Sequence, residues 1–262
     1  MQKKDIPQSG PLQPGHSPLG GQGGFIDINC DMGEGIGNDE AIMPFITSAN
    51  IACGAHAGDE ETMRTTILLA KQYGVKIGAH PSFPDRRNFG RTEMQTTPQE
   101  VYNLVSEQLA LFQKIADAAD AAVHHVKPHG ALYNMAARDA ALAKAVALAV
   151  KDFNATLVLF GLSGSASVTE ASLLGLKAWN EVFADRTYGD NGSLTPRWQP
   201  HAMIEDEEKA VAQVLQMVQK GTVTAVSGKD IPIAADTVCI HGDGKRAVAF
   251  AKRLSETLKS NR

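Results

Sequence analysis

Seven histidines follow residue 24 of this 262-residue chain, and five of them, His56, His80, His125, His129 and His241, stand in short polar clusters rich in Asp and Gly. Histidine exchanges protons near neutral pH and ligates metals, so histidines gathered with carboxylates suit general acid–base or metal chemistry. The carboxylates in the same clusters are Asp27, Asp31, Glu181, Asp185 and Asp243, with Lys127 as a cation. A single strand histidine is most often a hydrogen-bonded core residue. Five histidines with five acids would crowd one cavity with ionisable groups, which is costly unless they pair, bind a metal or react.

Other chemistries lack their signatures. Cys30, Cys53 and Cys239 are odd in number and without CxxC spacing, which argues against a disulfide framework or thiolate zinc site and suits a reducing cytoplasm. No Ser or Cys stands in a nucleophile elbow. The GEGIGN stretch at 33–38 has the wrong spacing for a dinucleotide loop, and Gly244-Lys245 lacks the upstream Gly and following hydroxyl of a P-loop. An ATP-dependent reaction would therefore need its nucleotide site elsewhere. The stretch PSFPDRRNFGRTEM (81–94) reads either as a solvated connection or as an arginine-bearing lid that holds a carboxylate beside His80.

The clusters recur at the ends of short runs: 25–35, 48–58, 75–83, 123–133, 156–164, 176–190 and 236–244. Helical periodicity fills 59–73, 98–118, 204–219 and 245–258, and more weakly 38–46, 138–152 and 165–174. Alternating strands and helices predict parallel βαβ units. Within the runs polar and apolar residues alternate, so that Asp27, Asn29 and Asp31 oppose Ile26, Ile28 and Cys30. The same parity groups Asn50 with His56, Lys76 with His80, His125 with Lys127 and His129, Glu181 with Asp185, and His241 with Asp243. A doubly wound sheet would show continuous apolar strands. A polar face on nearly every strand instead predicts an α/β fold of the (β/α)-barrel type, with seven or eight strands in an arrangement that need not be regular. Cys30 and Cys53 have the outward parity and Cys239 the inward one.

Of the 24 Gly and 12 Pro, six and four fall in the first 24 residues, where nothing apolar recurs. Residues 1–24 are read as a disordered leader or cloning remnant, and 25–262 as one catalytic barrel with a small hairpin inserted near 221–235. No secretory or membrane-spanning run is present, and a net charge of −4 without a Lys/Arg cluster argues against nucleic acid as a partner.

In order, DINCDMGEG, ANIACGAHAGD, IGAHPSFPD with NFGR, VKPHGALYN, EVFADRTYGDNGSL and CIHGD closely resemble the motifs of the LamB/YcsF family, from Phe25 to the C-terminus. The resemblance implies a barrel akin to those of the glycoside hydrolase/deacetylase superfamily. It also implies participation in an ATP-dependent 5-oxoprolinase, in which 5-oxo-L-proline and water give L-glutamate while ATP gives ADP and phosphate. Partner subunits B and C are implied with it, and the missing nucleotide motif fits lactam activation on those partners. The expected catalytic groups are Asp31, Lys127, His129, Glu181, Asp185, His241 and Asp243. Asp31 or a neighbouring carboxylate would be the base, His129 or His241 the proton donor, and Lys127 with the Gly-rich loop the oxyanion stabiliser. Asn29, Asn50, His80 and Arg91 are the expected substrate contacts. Analogy with the deacetylases suggests Asp31, His56 and His129 as ligands of a divalent metal. A metal-dependent amide or sugar deacetylase acting alone, and a non-catalytic substrate-binding subunit, are the alternatives.

Overall fold

The computed structural model describes residues 26–242 and 246–260. The expected leader and the candidate Asp243 lie outside them. In chain order the elements are β1 (Asp27–Met32), α1 (Asp39–Ile42), β2 (Ser48–Ala52), α2 (Glu60–Tyr73), β3 (Lys76–His80), α3 (Pro98–Ala118), β4 (Val123–Val126), α4 (Gly130–Arg138), α5 (Ala140–Phe153), β5 (Val158–Leu162), α6 (Ala166–Leu173), β6 (Ala178–Phe183), α7 (Glu207–Lys220), β7 (Thr222–Thr224), β8 (Asp230–Pro232), β9 (Thr237–Ile240) and α8 (Ala247–Ser260). Seven parallel strands close a barrel in the order β1-β2-β3-β4-β5-β6-β9, with β9 hydrogen-bonded to both β6 and β1. The short strands β7 and β8 form a separate antiparallel pair just before the closing strand.

Local sequence sets the helix ends. Asp59 caps α2 through the Thr62 amide, and Gly74 ends it in the left-handed conformation. Thr97 and Glu100 form a reciprocal capping box on α3, with Pro98 in the first turn, where its missing N–H costs nothing. The buried stripe Val101, Val105, Leu109, Phe112 and Ile115 then lays α3 on the barrel. The apolar core lies between barrel and helices, where the outward Ile28, Cys30 and Met32 of β1 and Ile51 of β2 are buried.

The barrel interior is polar, and its layers follow the expected parity. At the bottom, buried Asp27 accepts hydrogen bonds from Thr47, Ser48 and Thr237 hydroxyls at 2.7–2.8 Å. One layer up, Thr237 accepts from Asn29 Nδ2, and Asn50 Nδ2 donates to both Asn29 Oδ1 and Asp31 Oδ1. His125 stacks on Phe160 with centroids 4.2 Å apart and donates through Nε2 to Asn50 Oδ1 at 2.8 Å. Its ring occupies the space in front of Gly78, where any side chain would collide with it. Lys76 departs from the inward expectation: as the first residue of β3 it reaches the open bottom, 42% exposed and 3.4 Å from Asp27.

Candidate active site

A cavity of 850 Å³ opens at the C-terminal ends of the strands, with Asp31, Glu34, His80, Lys127, His129 and His241 in its wall. Barrel strands aim side chains at this end, where connecting loops can vary without disturbing the sheet. Three constellations converge on it.

The first is a histidine–carboxylate cluster. Glu34, His56, His80 and His129 each bring one ligand atom into a group whose members all lie within 4.8 Å of one another. His80 ends β3, whereas His56 and His129 lie beyond the ends of β2 and β4. Glu34 arrives by a turn between Gly33 and Gly35, whose φ angles of 70° and 79° are readily adopted by glycine. The His56 and His129 rings stack with centroids 3.8 Å apart, and the Phe89 ring packs edge-on against both. The outward nitrogens fix the tautomers of His80 and His129. His80 Nδ1–H donates to the Lys127 carbonyl at 2.6 Å and His129 Nε2–H to the Phe89 carbonyl at 2.9 Å. His56 Nδ1 meets Ser82 Oγ at 2.8 Å, and that hydroxyl is in turn placed to donate to the Phe83 carbonyl. When neutral, His80 and His129 therefore turn lone pairs inward, whereas His56 Nε2 lies within hydrogen-bond distance of Glu34 Oε1 at 2.9 Å, and burial pushes the pKa of His56 down and of His129 well down. His80 Nε2 and His129 Nδ1 stand 2.8 Å apart. Two facing lone pairs are relieved by a shared proton or a cation, and outer nitrogens tied to protein acceptors are the arrangement that orients metal ligands. The donor set, three imidazoles and a carboxylate, fits a divalent transition metal.

The second constellation is a buried ion network. Lys127 Nζ lies 2.9 Å from Asp31 Oδ1, 2.8 Å from Glu181 Oε1 and 3.2 Å from Cys239 Sγ. Burial would lower the Lys127 pKa, but Asp31 and then the other anionic partners overcome it and hold the ammonium well above its usual range. Burial likewise opposes ionisation of Asp31, and His80 and Lys127 together hold its carboxyl well below the usual range. Glu181 touches Lys127 as an ion pair without hydrogen-bond geometry, and Tyr133, whose hydroxyl also lacks a hydrogen bond, has its pKa pushed up by burial and by that carboxylate.

The third is a dyad across the mouth. His241 Nδ1 is 2.8 Å from both oxygens of Asp185, and His241 Nε2 is 2.8 Å from Arg197 Nη2. An ionised carboxylate and a guanidinium leave one consistent assignment: Nδ1–H donates to Asp185 and Nε2 accepts from Arg197.

The structure thus sorts the expected residues. Asp31, Lys127, His129 and His241 line the cavity and Asp185 backs His241. Glu181 is fully buried behind Lys127 rather than exposed to a ligand. Asn29 and Asn50 are both 0% exposed one layer below, where the Asn50 amide donates to Asp31 and Asn29 Oδ1 accepts from Lys127. Arg91 lines the cavity and stands over the Phe89 ring, while His80 joins the cluster. Of the suggested metal set, His56 and His129 belong to the cluster, but Asp31 stands at its edge, 3.3 Å from His80 Nε2, because Lys127 and Asn50 claim its other oxygen. Glu34, Tyr133 and Arg197 are not singled out by sequence, although Glu34 stands within the DMGEG motif.

Fold and site together define a (β/α)-barrel protein with a histidine–carboxylate centre at the C-terminal mouth. More particularly, the chain belongs to the LamB/YcsF family, whose model matches residues 26–262. It is 54% identical over 241 residues to a Bordetella parapertussis protein named as the A subunit of 5-oxoprolinase, covering 90% of this chain and 96% of that one. A solved structure, the lactam utilization protein from Thermus thermophilus, superposes with a TM-score of 0.84 at 41% identity, covering 90% of this chain and 97% of that one. A GH113 beta-1,4-mannanase, at 12% identity and TM-score 0.50 over 91% of this chain and 99% of that one, shares the fold alone. No helix among the described residues is long and apolar enough to cross a membrane.

Proposed function

We propose that this chain is the lactam-opening component of an ATP-dependent 5-oxoprolinase, converting 5-oxo-L-proline and water to L-glutamate with subunits B and C as partners. ATP is bound and cleaved to ADP and phosphate on those partners, since the sequence carries no nucleotide motif. The observation that carries the reading is that Lys127, the Asp185-backed His241 and three of the four cluster residues, Glu34, His80 and His129, line one cavity, in a chain whose relatives are named as the 5-oxoprolinase A subunit and as a lactam utilization protein.

Hydrolysis joins a water oxygen to the lactam carbonyl carbon and breaks that carbon's bond to the ring nitrogen, which must gain a proton. His241, with Nε2 as acceptor, takes the proton from water and returns it to the departing nitrogen, while Asp185 steadies the imidazolium between the two events. His129 is less suited to that shuttle because its Nε2–H is tied to a backbone carbonyl and its Nδ1 faces His80 inside the cluster, whereas the Nε2 of His241 meets only a mouth arginine. Lys127 offers an ammonium to the developing oxyanion, and Asp31 holds that ammonium in place. A divalent ion held by Glu34, His56, His80 and His129 would supply Lewis acidity and a more acidic bound water.

The test is reconstitution. The purified chain is mixed with 5-oxoproline and ATP, with and without the two partner subunits, and glutamate is followed. Turnover requiring all three supports the proposal. Lactam hydrolysis by this chain without ATP would favour the stand-alone hydrolase, and full turnover by a complex carrying Asp31→Asn would remove Asp31 from the mechanism.

A further inference from the structure

Between β6 and α7 the chain makes a long excursion whose base is locked and whose tip overhangs the cavity. Arg186 is buried at the base, with Nη2 donating to the Thr195 carbonyl at 2.6 Å and Nε to the Ala202 carbonyl at 3.3 Å. Burial, reinforced by Arg197 nearby, pulls its pKa down to about 10. Gln213 ties the same base to α7 through the carbonyls of Phe183, Ala184 and Arg186. Isolated bridges pair Arg186 with Met203 and Tyr188 with Leu194, so the segment is a framed loop.

Arg197 is carried on this frame, lines the cavity and is exposed. Its guanidinium donates to His241 Nε2 at 2.8 Å and reaches the Met203 sulfur at 3.5 Å, and it forms no ion pair with a described carboxylate. Three other arginines line the wall, and of these Arg91 stands over the Phe89 ring. Arg138 is bridged to Glu93, and the donors of Arg186 go to backbone carbonyls. Arg197 therefore spends an N–H on a neutral ring nitrogen, a weaker partner than a carboxylate, which it can bind through two parallel hydrogen bonds.

We propose that Arg197 is the carboxylate receptor of the cavity, and that pairing with an incoming carboxylate draws it off His241 and frees Nε2 for proton transfer. One side chain then both selects the ligand and unmasks the base. The inference rests on the lactam-opening reading, because 5-oxoproline is a small lactam whose only charged group is a carboxylate. A neutral lactam would leave Arg197 on His241, and the shuttle would stay blocked. Arg197 is a specificity-determining residue toward the substrate and a positioning residue toward His241.

Two measurements decide it. In the reconstituted complex, Arg197→Ala should raise KM for 5-oxoproline by at least about tenfold, with Arg197→Lys restoring part of the loss as a single-point cation. An unchanged KM with only kcat reduced would overturn the receptor role. On the full-length chain alone, the ¹⁵N resonance of His241 Nε2 should move when 5-oxoproline is added and stay when 2-pyrrolidinone, the same ring without the carboxylate, is added. Equal responses to both, or a response to 5-oxoproline that survives Arg197→Ala, would overturn the switch. If the wild-type complex makes no glutamate, the lactam-opening reading fails, and the resonance experiment still decides whether Arg197 receives a carboxylate.

Discussion

His80 Nε2 and His129 Nδ1 face each other at 2.8 Å while the opposite nitrogen of each ring donates to a backbone carbonyl. With both outer positions held as donors, the inner pair is acceptor against acceptor whenever the rings are neutral. Glu34 Oε1, 3.5 Å from His129 Nδ1, adds negative charge to the same point. A divalent cation would resolve this conflict. The chain purified without chelator should carry about one zinc-class ion, which His80→Ala or Glu34→Gln should remove. Loading the apo chain to 100 times the dissociation constant should stabilise it by about 2.7 kcal/mol. Elemental analysis and thermal melts with and without EDTA measure both effects, and an apo protein whose melting is indifferent to zinc, cobalt and manganese would refute the site.

Gly90 permits the histidine stack. A Cβ built there would lie 2.9 Å from His56 Cβ and 3.1 Å from His129 Cδ2, at a backbone φ of 65°. Gly90→Ala therefore meets both overpacking and left-handed strain, and should destabilise the chain by about 1–3 kcal/mol. Because the collision falls on two cluster residues, metal affinity should drop as well. Denaturant unfolding and metal titration of the variant read the two effects separately.

Lys127 separates two carboxylates. Removing it leaves fully buried Glu181 and partly buried Asp31 without a shared cation, and Lys127→Met should cost about 3–5 kcal/mol. Adding Glu181→Gln should recover part of that stability, since one of the stranded charges is gone. Turnover should not return in the double variant, because the ammonium facing the reaction is still missing. Urea unfolding of the single and double variants measures the coupling, and additive losses would show that Glu181 and Lys127 act independently.

The barrel and its polar interior are legible because strand alternation has period two and polar residues recur on the inward parity: Asp27, Asn29 and Asp31 on β1, Ser48 and Asn50 on β2, His125 on β4 and Glu181 on β6. That rule placed Asp31, Lys127 and the inward Cys239 correctly, with Lys127 meeting both. It lost force where strands end. β1 stops at Met32, and the turn through Gly33 and Gly35 carries Glu34 back over the mouth by backbone conformation rather than parity. The VKPHGALY run also conceals an element boundary: β4 ends at Val126 and α4 begins at Gly130. Arg197 lies in an excursion with no period at all, held by side-chain to backbone bonds from Arg186.

His125 makes stability depend on pH. The ring is fully buried, donates to Asn50 and stacks on Phe160, and its neighbours are cationic or protonatable: His124, Lys127, Lys76 and His80. Burial first, and those charges after it, hold its pKa well below the usual histidine value, and half-buried His124 is lowered for the same first reason. For a base with a depressed folded-state pKa, the unfolded chain binds the proton first. Stability is then fully present above the unfolded pKa of about 6.5 and is lost as pH falls toward the folded value, at up to about 1.4 kcal/mol per pH unit for each such group. Urea midpoints should accordingly decline from pH 7.5 to 5.5. His125→Gln, which keeps a donor toward Asn50 but cannot titrate, should flatten that decline while lowering stability at pH 7.5 through the lost stacking. An undiminished slope in the variant would assign the pH dependence to other groups.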